Sequence, residues 1–281
     1  MADSFVGGDY ILSESPTVEV FAGQDCRQVL ASLKDRCEAS GVWFDTAFAD
    51  PPFNIGVSYD KHVDKMSEAE YTAFTYEWVQ RLADVLRPGG TMWINCPEAS
   101  LLLTLQALDA AKMIRRRLCV WHYRFGQNQK HNFISSHVNA LYYVKPGAEH
   151  SWFPDRILEA SDRASMYKDP RTYDKDEPEM RGLRVPLDVW YGPGFGRVQG
   201  NNKQRRVLHK NQLPVAYVQR ALNSVTPDRG LVIDPFVGSG TTLVAARTLG
   251  FSSVGIDLSE AYAKSAFDNL LEKGKHEPKT I

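Results

Sequence analysis

The stretch "AFADPPFNIG" (residues 47–56) places an acidic residue, two prolines and an aromatic residue in succession after a short apolar run. Each proline ring fixes φ and Pro52 has no N–H, so the Pro51 carbonyl is held in a rigid orientation. Asp50 adds a second acceptor and Phe53 an aromatic face, which together suit an amino group on a stacked ring. Taken alone, the four residues are more simply interpreted as a turn that ends a strand, with Phe53 in the core.

A second stretch whose residues could form a functional site is "VIDPFVGSGTTLVAARTLGFSSVGID" (232–257). It reads as a strand, a Gly-rich turn that opens a helix, and a second strand that ends in Asp257. Glycines let backbone N–H groups approach a ligand, and an acidic residue after the next strand suits the two hydroxyls of a ribose. The spacing matches neither the dinucleotide fingerprint nor the phosphate loop, which argues against NAD and ATP. The unit indicates an adenosine-containing ligand.

Together the two stretches resemble the motifs of the DNA amino-methyltransferases, which transfer a methyl group from S-adenosylmethionine (AdoMet) to N6 of adenine or N4 of cytosine. The catalytic motif of that family, [DNS]-PP-[YFW], corresponds to residues 50–53, and its AdoMet motif, often DPFxGSGTT, to residues 234–242. The catalytic motif comes first and a variable segment separates the two, as in the circularly permuted β class. The resemblance covers nearly the whole chain outside 148–208.

The resemblance implies an AdoMet-dependent, site-specific adenine-N6 methyltransferase of double-stranded DNA that acts by direct attack from a flipped-out base. Asp50 and the Pro51 carbonyl would bind the two amino hydrogens, and Phe53 would stack on the base. The implied catalytic residues are Asp50, Pro51, Pro52 and Phe53.

The alternatives concern both the target and the activity. Asp rather than Ser at the first motif position favours adenine, and N4-cytosine methylation is the main alternative. An RNA target is a weaker one. A catalytically silent DNA-binding subunit would be expected to have lost Asp50 or the Gly-rich turn, and both are present.

The resemblance also implies a set of cofactor-binding residues. The turn at 238–242 would hold the methionine part of AdoMet, and Asp257 the ribose. "HKNQLP" (209–214) resembles the family's HPxQKP element, from which Lys210 and Leu213 depart, and "AGQDC" resembles its GD signature with Gln24 inserted. The full set is Asp25, Asn211, Gln212, Asp234, Pro235, Phe236, Gly238, Ser239, Gly240, Thr241, Thr242 and Asp257. No metal is expected.

Strands and helices that alternate along the chain must position these residues. The predicted strands are 17–23, 42–49, 91–96, 117–125, 137–146, 230–234 and 252–257. The predicted helices are 26–37, one that opens with a capping box at Ser67 and stops at 87–90, one near 98–112, one near 213–224, one after Gly240 and one from Ser259. This pattern predicts an α/β fold with a mostly parallel sheet covered by helices on both faces. With the resemblance, it becomes a circularly permuted Rossmann-like methyltransferase sheet.

The predicted organisation is a catalytic half (1–147), an irregular target-recognition insertion (148–208) and an AdoMet-binding half (209–281). Residues 115–210 carry 18 Lys/Arg against 10 Asp/Glu, whereas the formal net charge of the whole chain is −1. In a protein whose motifs indicate chemistry on nucleic acid, this local excess of positive charge predicts a DNA-binding surface. Tyr191 and Phe195 either wedge into the duplex or pack. The candidate DNA contacts are Arg171, Arg181, Arg184, Arg197, Lys203, Arg205 and Arg206.

Composition sets the broad class. The 281 residues are 43% hydrophobic and 24% charged, which is typical of a soluble globular protein. We expect no secretory signal, no membrane span and no membrane partner. Four cysteines without metal-ligand spacing are expected to be buried reduced thiols, consistent with a cytoplasmic protein that is nucleoid-associated when on DNA. The resemblance further implies a homodimer, in either a restriction–modification or an orphan role.

Overall fold

The computed structural model describes residues 7–56, 65–124, 126, 128–167, 182–198, 202, 204–205 and 211–273. Its helices are α1 (Cys26–Ser40), α2 (Glu68–Val85), α3 (Glu98–Ala110), α4 (Asp162–Tyr167), α5 (Val215–Asn223), α6 (Thr241–Thr248) and α7 (Glu260–Lys273). Its strands are β1 (Tyr10–Leu12), β2 (Val18–Ala22), β3 (Phe44–Ala49), β4 (Leu86–Cys96), β5 (Ile114–His122), β6 (His137–Val144), β7 (Glu159–Ala160), β8 (Leu183–Arg184), β9 (Val189–Trp190), β10 (Leu231–Asp234) and β11 (Ser252–Asp257).

The predicted elements are present, and most bounds agree within a few residues. The capping box at Ser67 forms as expected, with the Ser67 side chain accepting from Glu70 N and the Glu70 side chain from Ser67 N. The main difference is the start of β4, which pairs with β3 from Leu86 onward instead of from residue 91. α2 ends at Val85, and the Pro-Gly-Gly sequence lies within β4, where Gly89 takes φ 73° and its N–H donates to Lys145 O.

Nine strands form one sheet in the order β1-β2-β11-β10-β3-β4-β6-β5-β9. The five strands from β2 to β4 are mutually parallel. β6 runs antiparallel to both β4 and β5, so β5 again points the same way as β4. Strands β7 and β8 form a separate two-stranded sheet. The mostly parallel sheet predicted from the alternating pattern is therefore confirmed.

Helices cover the sheet in two layers. On one face α2 packs between α1 and α3, and on the other α6 packs between α5 and α7. Trp78, Leu82 and Leu30 fill the core under the first layer, and Tyr217 and Ala245 belong to the core under the second. The four cysteines of the chain are buried and unpaired, as expected.

The neighbouring strands β3 and β10 connect to helices on opposite faces of the sheet. The chain leaves β3 for α2 and then β4, whereas it leaves β10 for α6 and then β11, so the two connections move to opposite faces and in opposite directions. Such a switch point opens a crevice at the carboxyl ends of the two strands, and open α/β sheets bind their ligands there.

The opposite, amino-terminal edge of the same strands is closed by Asp45. Its carboxylate accepts from Arg87 Nε at 2.6 Å and from Leu231 N at 2.9 Å, so that one side chain connects β3 to the adjacent strands β4 and β10. Asp45 is largely buried, with a side-chain exposure of 17%. Removing it leaves a guanidinium and a backbone N–H without this partner.

We expect Asp45→Ala to lower the free energy of unfolding by about 2–3 kcal/mol, since both hydrogen bonds involve a charged group. In thermal unfolding this corresponds to a midpoint about 4–10 °C lower. Asp35→Ala, which removes an exposed carboxylate on α1, is the matched control and should change the midpoint little. Equal midpoints for the two variants would show that Asp45 does not hold the strands together.

Candidate active site

The crevice at the switch point is a cavity of about 540 Å³. It brings together the two stretches singled out in the sequence, which lie about 180 residues apart along the chain. The predicted residues that line it are Asp25, Asp50, Pro51, Pro52, Phe53, Asn211, Asp234, Pro235, Phe236, Gly238, Ser239, Thr241, Thr242 and Asp257. The predicted residues Gln212 and Gly240 are not among the lining residues.

The turn after β3 is held by the start of α2. The Tyr71 hydroxyl donates to the Pro52 carbonyl at 3.0 Å. Asn54, in the left-handed region with φ 55°, bonds the backbone of Met66 twice, through its amide nitrogen at 3.0 Å and its amide oxygen at 2.6 Å. Phe53 lines the cavity and is half-buried. The stretch is thus a turn that ends a strand, but Phe53 faces the cavity and does not pack into the core as the simpler interpretation had it.

Asp50 is positioned by a chain of buried hydrogen bonds. Asn95, near the end of β4, donates from Nδ2 to Asp50 Oδ1 at 3.0 Å. The Tyr217 hydroxyl of α5 in turn donates to Asn95 Oδ1. Because that hydroxyl occupies the amide oxygen, it fixes which end of the amide faces the carboxylate. Both Asn95 and Tyr217 are completely buried, and Trp121 stacks on the Tyr217 ring at 4.9 Å.

The Gly-rich turn is organised around two carboxylates. Asp234 accepts from Phe236 N at 2.9 Å, and Asp257 accepts from Gly238 N and Ser259 N, both at 2.8 Å. The Phe236 ring packs edge-on against Trp78 at 5.2 Å, which fixes the turn to α2. The acidic end of β11 therefore reaches back to the Gly-rich turn.

Gly240 and Gln212 have structural positions next to the cavity. Gly240 has φ 80°, and a Cβ on it would lie 2.8 Å from Ala266 Cα, so it permits close packing of α6 on α7. Gln212 is buried and donates to the Gln204 carbonyl at 2.7 Å. Asn211 lines the cavity and accepts from Arg197 at 3.4 Å.

Three carboxyl groups in the cavity wall have raised pKa values. Burial raises the pKa of Asp50 to about 6, of Asp257 to about 6 and of Asp234 to about 7. The hydrogen bonds that each carboxylate accepts lower its pKa and offset part of this effect. The Asn95 hydrogen bond lowers the pKa of Asp50 and thus favours its ionised form. Carboxyls clustered in a desolvated wall favour a ligand that carries positive charge or hydroxyl donors.

Asp25 has a different electrostatic environment. It caps α1 by accepting from Arg27 N at 2.8 Å, and it pairs with the Arg27 guanidinium at 2.6 Å. The hydrogen bond from Arg27 lowers the pKa of Asp25. Arg27 also pairs with Glu77 of α2 at 3.1 Å and lines the cavity. Asp25 is thus an ionised acceptor at the cavity rim.

The candidate DNA-contacting residues fall in three groups. Arg171, Arg181, Lys203 and Arg206 lie outside the described residues, as do His209 and Lys210. Arg184 pairs with Glu159 at 3.5 Å and Asp162 at 3.0 Å, which holds β7 and β8 together. Arg197 lies over the Tyr123 ring at 5.0 Å, and the Arg205 side chain is exposed.

The two aromatic candidates of the insertion behave differently. Phe195 is 7% exposed, and its carbonyl accepts from Trp121 Nε1 at 2.6 Å, so it packs and does not wedge. Tyr191 is 58% exposed. The end of the insertion is also less separate than its composition indicates, because Trp190 pairs with Trp121 as an edge strand of the main sheet.

Sequence reasoning missed Asn95, Tyr217, Tyr71 and Asn54. Asn95 could have been found, because it is a polar residue at the carboxyl end of an otherwise apolar predicted strand, next to Asp50 in the sheet. Tyr217 carries no such signal, since an aromatic residue in an amphipathic helix is normally a core residue.

A doubly wound sheet, a crevice at its switch point, a Gly-rich turn and a wall of carboxyls define an α/β protein with a site for a nucleoside-containing cation. A family model described as DNA methylase matches residues 44–268. Because this match covers more than half of the chain, the chain belongs to the DNA methylase family, whose N6 and N4 amino-methyltransferases use AdoMet.

Individual relatives agree with this assignment. The chain is 28% identical over 246 residues to Type II methyltransferase M.HpaI of Haemophilus parainfluenzae, and this alignment covers 87% of this chain and 73% of that protein. It is 29% identical over 244 residues to DNA adenine methyltransferase YhdJ of Escherichia coli K12, and this alignment covers 86% of this chain and 80% of that protein.

Two solved structures share the fold. The M1.HpyAVI–SAM complex aligns with a TM-score of 0.59 at 18% identity, over 90% of this chain and 99% of that one. The cytosine-N4-specific PvuII DNA methyltransferase aligns with a TM-score of 0.63 at 11% identity, over 94% of this chain and 88% of that one. The methyltransferase fold predicted from the motifs is confirmed.

The described residues offer neither a metal-binding cluster nor a membrane-spanning helix. Within them, no group of three or more His, Cys, Asp or Glu side chains could hold a metal ion. None of the described helices is long and apolar enough to cross a membrane.

We expect Tyr217→Phe to shift the acid limb of the kcat/KM–pH profile to higher pH. Without the hydroxyl, the Asn95 amide can turn its oxygen toward Asp50, which raises the pKa of Asp50 above its value of about 6. Activity that requires ionised Asp50 is then lost at a higher pH as the medium is acidified.

The matched control is Tyr142→Phe. It removes a hydroxyl that is also buried but has no hydrogen-bond partner among the described residues. The control should leave the acid limb in place. If Tyr217→Phe lowered activity by the same factor at every pH, Tyr217 would have a structural role only.

Proposed function

We propose that the protein transfers a methyl group from AdoMet to the N6 amino group of adenine in double-stranded DNA. One observation carries the proposal: the Asp50–Phe53 turn and the Gly-rich turn at 238–242 face the same cavity of about 540 Å³. A base presented to Asp50 and a donor held by the Gly-rich turn would therefore share one space.

The residues of the cavity fit AdoMet. Asp257, at the end of β11, offers carboxylate oxygens for the ribose hydroxyls, and Asp25 is an ionised acceptor near the N-terminus of α1. Phe236 and Pro235 supply apolar surface between Asp234 and the Gly-rich turn. The buried carboxyl of Asp234 favours the positive charge of a sulfonium. AdoMet supplies, when bound, an electrophilic methyl group on that sulfonium.

Asp50 and the proline carbonyl would prepare the amino group of the target base. An exocyclic amino nitrogen is a poor nucleophile because its lone pair is delocalised into the ring. Hydrogen bonds from its two protons to Asp50 and to the Pro51 carbonyl would favour a pyramidal nitrogen with an available lone pair. Phe53 would stack on the base and fix its plane, so that positioning provides much of the rate enhancement. A carboxyl with a pKa near 6 is ionised at neutral pH and can also accept a proton.

Adenine is proposed over cytosine for two reasons. The first motif position is Asp50 rather than Ser. The relative YhdJ, which aligns over 86% of this chain at 29% identity, is named an adenine methyltransferase.

The segment 148–208 is proposed as the target-recognition region and the other two segments as the catalytic and AdoMet-binding halves. The basic residues of this segment suit phosphate and base-edge contacts. Homodimer formation stays a prediction from the family resemblance.

The decisive experiment incubates the protein with AdoMet and unmethylated genomic DNA and identifies the modified nucleoside by mass spectrometry. We expect N6-methyladenine from the wild type and a rate about 10²–10⁴-fold lower for Asp50→Ala, since the variant loses the acceptor that prepares the amino group. AdoMet binding by the variant, measured by calorimetry, should stay within about threefold of wild type, near the uncertainty of such comparisons.

Asp35→Ala again serves as the matched control, because it removes an exposed carboxylate away from the cavity. N4-methylcytosine as the product would preserve the site and overturn the choice of base. No methylated nucleoside from wild-type protein that binds AdoMet would refute the proposed activity on DNA.

A further inference from the structure

Residues 123–136 connect β5 to β6 and carry the most exposed large hydrophobic side chain among the described residues, Phe133, at 94% exposure. We call them the β5–β6 loop. We propose that this loop is a second DNA-contacting surface, outside the insertion, and that Phe133 is a wedge that enters the duplex a few base pairs from the target base. The inference rests on the proposed function, because it assumes a duplex at the Asp50 cavity.

The loop leaves the sheet at the edge that holds the active site. β5 points the same way as β4 and β3, so its carboxyl end lies at the edge where Asp50 follows β3. In the sheet register Asn95 is opposite Ala140, which is opposite Cys119, and β5 continues for three more residues to His122. The loop therefore projects above the level of the cavity.

The lateral distance suits a duplex. Three strand spacings separate β3 from β5, which is about 14 Å at ~4.8 Å per spacing. That is about the rise of four base pairs at 3.4 Å per nucleotide. A straight duplex that runs across the strands and places one nucleotide at Asp50 would therefore reach the β5–β6 loop.

The loop has a fixed root and an exposed tip. At the root, Tyr123 N donates to Ser136 O at 2.8 Å, and Arg197 lies over the Tyr123 ring at 5.0 Å. Farther from the sheet the two sides of the loop are in contact, since a Cβ on Gly126 would be 2.2 Å from Ile134 Cγ2. Phe133 lies beyond that contact, and the described residues from 128 to 135 are exposed.

Charge identifies the partner. From residue 110 to 148 the chain has seven Lys or Arg and no Asp or Glu. Arg124, Lys130 and His131 are exposed in the loop beside Phe133. Among the described loop residues the charged groups beside Phe133 are cationic, and the exposed Ile134 adds apolar surface, a combination that suits a polyanion with a stacked interior. Proteins that open base steps use such apolar wedges together with phosphate contacts.

Phe133 is a better wedge than the aromatic residues of the insertion. Phe195 is buried, and Tyr191 packs edge-on against His122 at the loop root, with ring centroids 6.3 Å apart. A wedge would stabilise the open duplex while the base occupies the cavity. Its contribution should therefore disappear when the target base is already unpaired.

The test compares Phe133→Ala with wild type on two duplex oligonucleotides that carry a site found by sequencing methylated genomic DNA. One duplex is fully matched, and the other has a mismatch opposite the target base. We expect the variant to lose about 10–100-fold in kcat/KM on the matched duplex, since opening a base step is costly. On the mismatched duplex we expect it to come within about threefold of wild type.

Leu102→Ala is the matched control, because Leu102 is 69% exposed on α3 and lies outside the loop. It should behave like wild type on both duplexes. An equal loss of Phe133→Ala activity on matched and mismatched DNA, or no loss at all, would overturn the wedge.

A binding measurement separates this inference from the proposed activity. We expect wild-type protein to bind a short duplex with one abasic position at least about tenfold more tightly than the intact duplex, because the wedge can fill the gap. Phe133→Ala should lose this preference and Leu102→Ala should keep it. If wild-type protein methylates no DNA, the proposed activity fails, and this preference alone decides whether Phe133 enters the duplex. A preference that Phe133→Ala retains would overturn the wedge.

Discussion

The site depends on the divergence of two neighbouring parallel strands. Because β3 and β10 send their next helices to opposite faces of the sheet, none of the described helices covers the gap between their carboxyl ends. Asp50 and Asp234, the residues that end or follow these strands, therefore face a common cavity although 183 residues separate their numbers. The Gly-rich turn, the cap of α1 and the start of α2 then form the walls of that cavity.

The cavity wall has an energetic cost that a purely structural site would avoid. Carboxyls whose folded-state pKa is raised bind protons more tightly in the folded than in the unfolded chain, so they contribute less to stability as pH rises toward 7. The buried hydrogen bonds from Asn95, Gly238 and Ser259 reduce this cost by favouring the ionised forms. The cores under both helix layers must supply the compensating stability.

Most of the fold could be predicted because its signals are local. Alternation of apolar strands with capped helices gave the order of elements, and two short motifs gave most residues that line the cavity. The start of β4 was misplaced, since Pro-Gly-Gly normally signals a loop and here continues into paired backbone. Tyr217 and the packing of Phe195 depend on contacts between segments far apart in sequence. No local pattern encodes such contacts, whereas the position of Asn95 at a strand end was readable.

The pairing of β3 with β10 has a consequence for how the chain is connected. The two halves of the molecule meet side by side in one sheet, through backbone hydrogen bonds, through Asp45 to Leu231 and through Tyr217 to Asn95. None of these contacts requires the covalent link that runs through the insertion. Two separately synthesised fragments divided within 168–181 therefore have the interfaces needed to reassemble into one sheet.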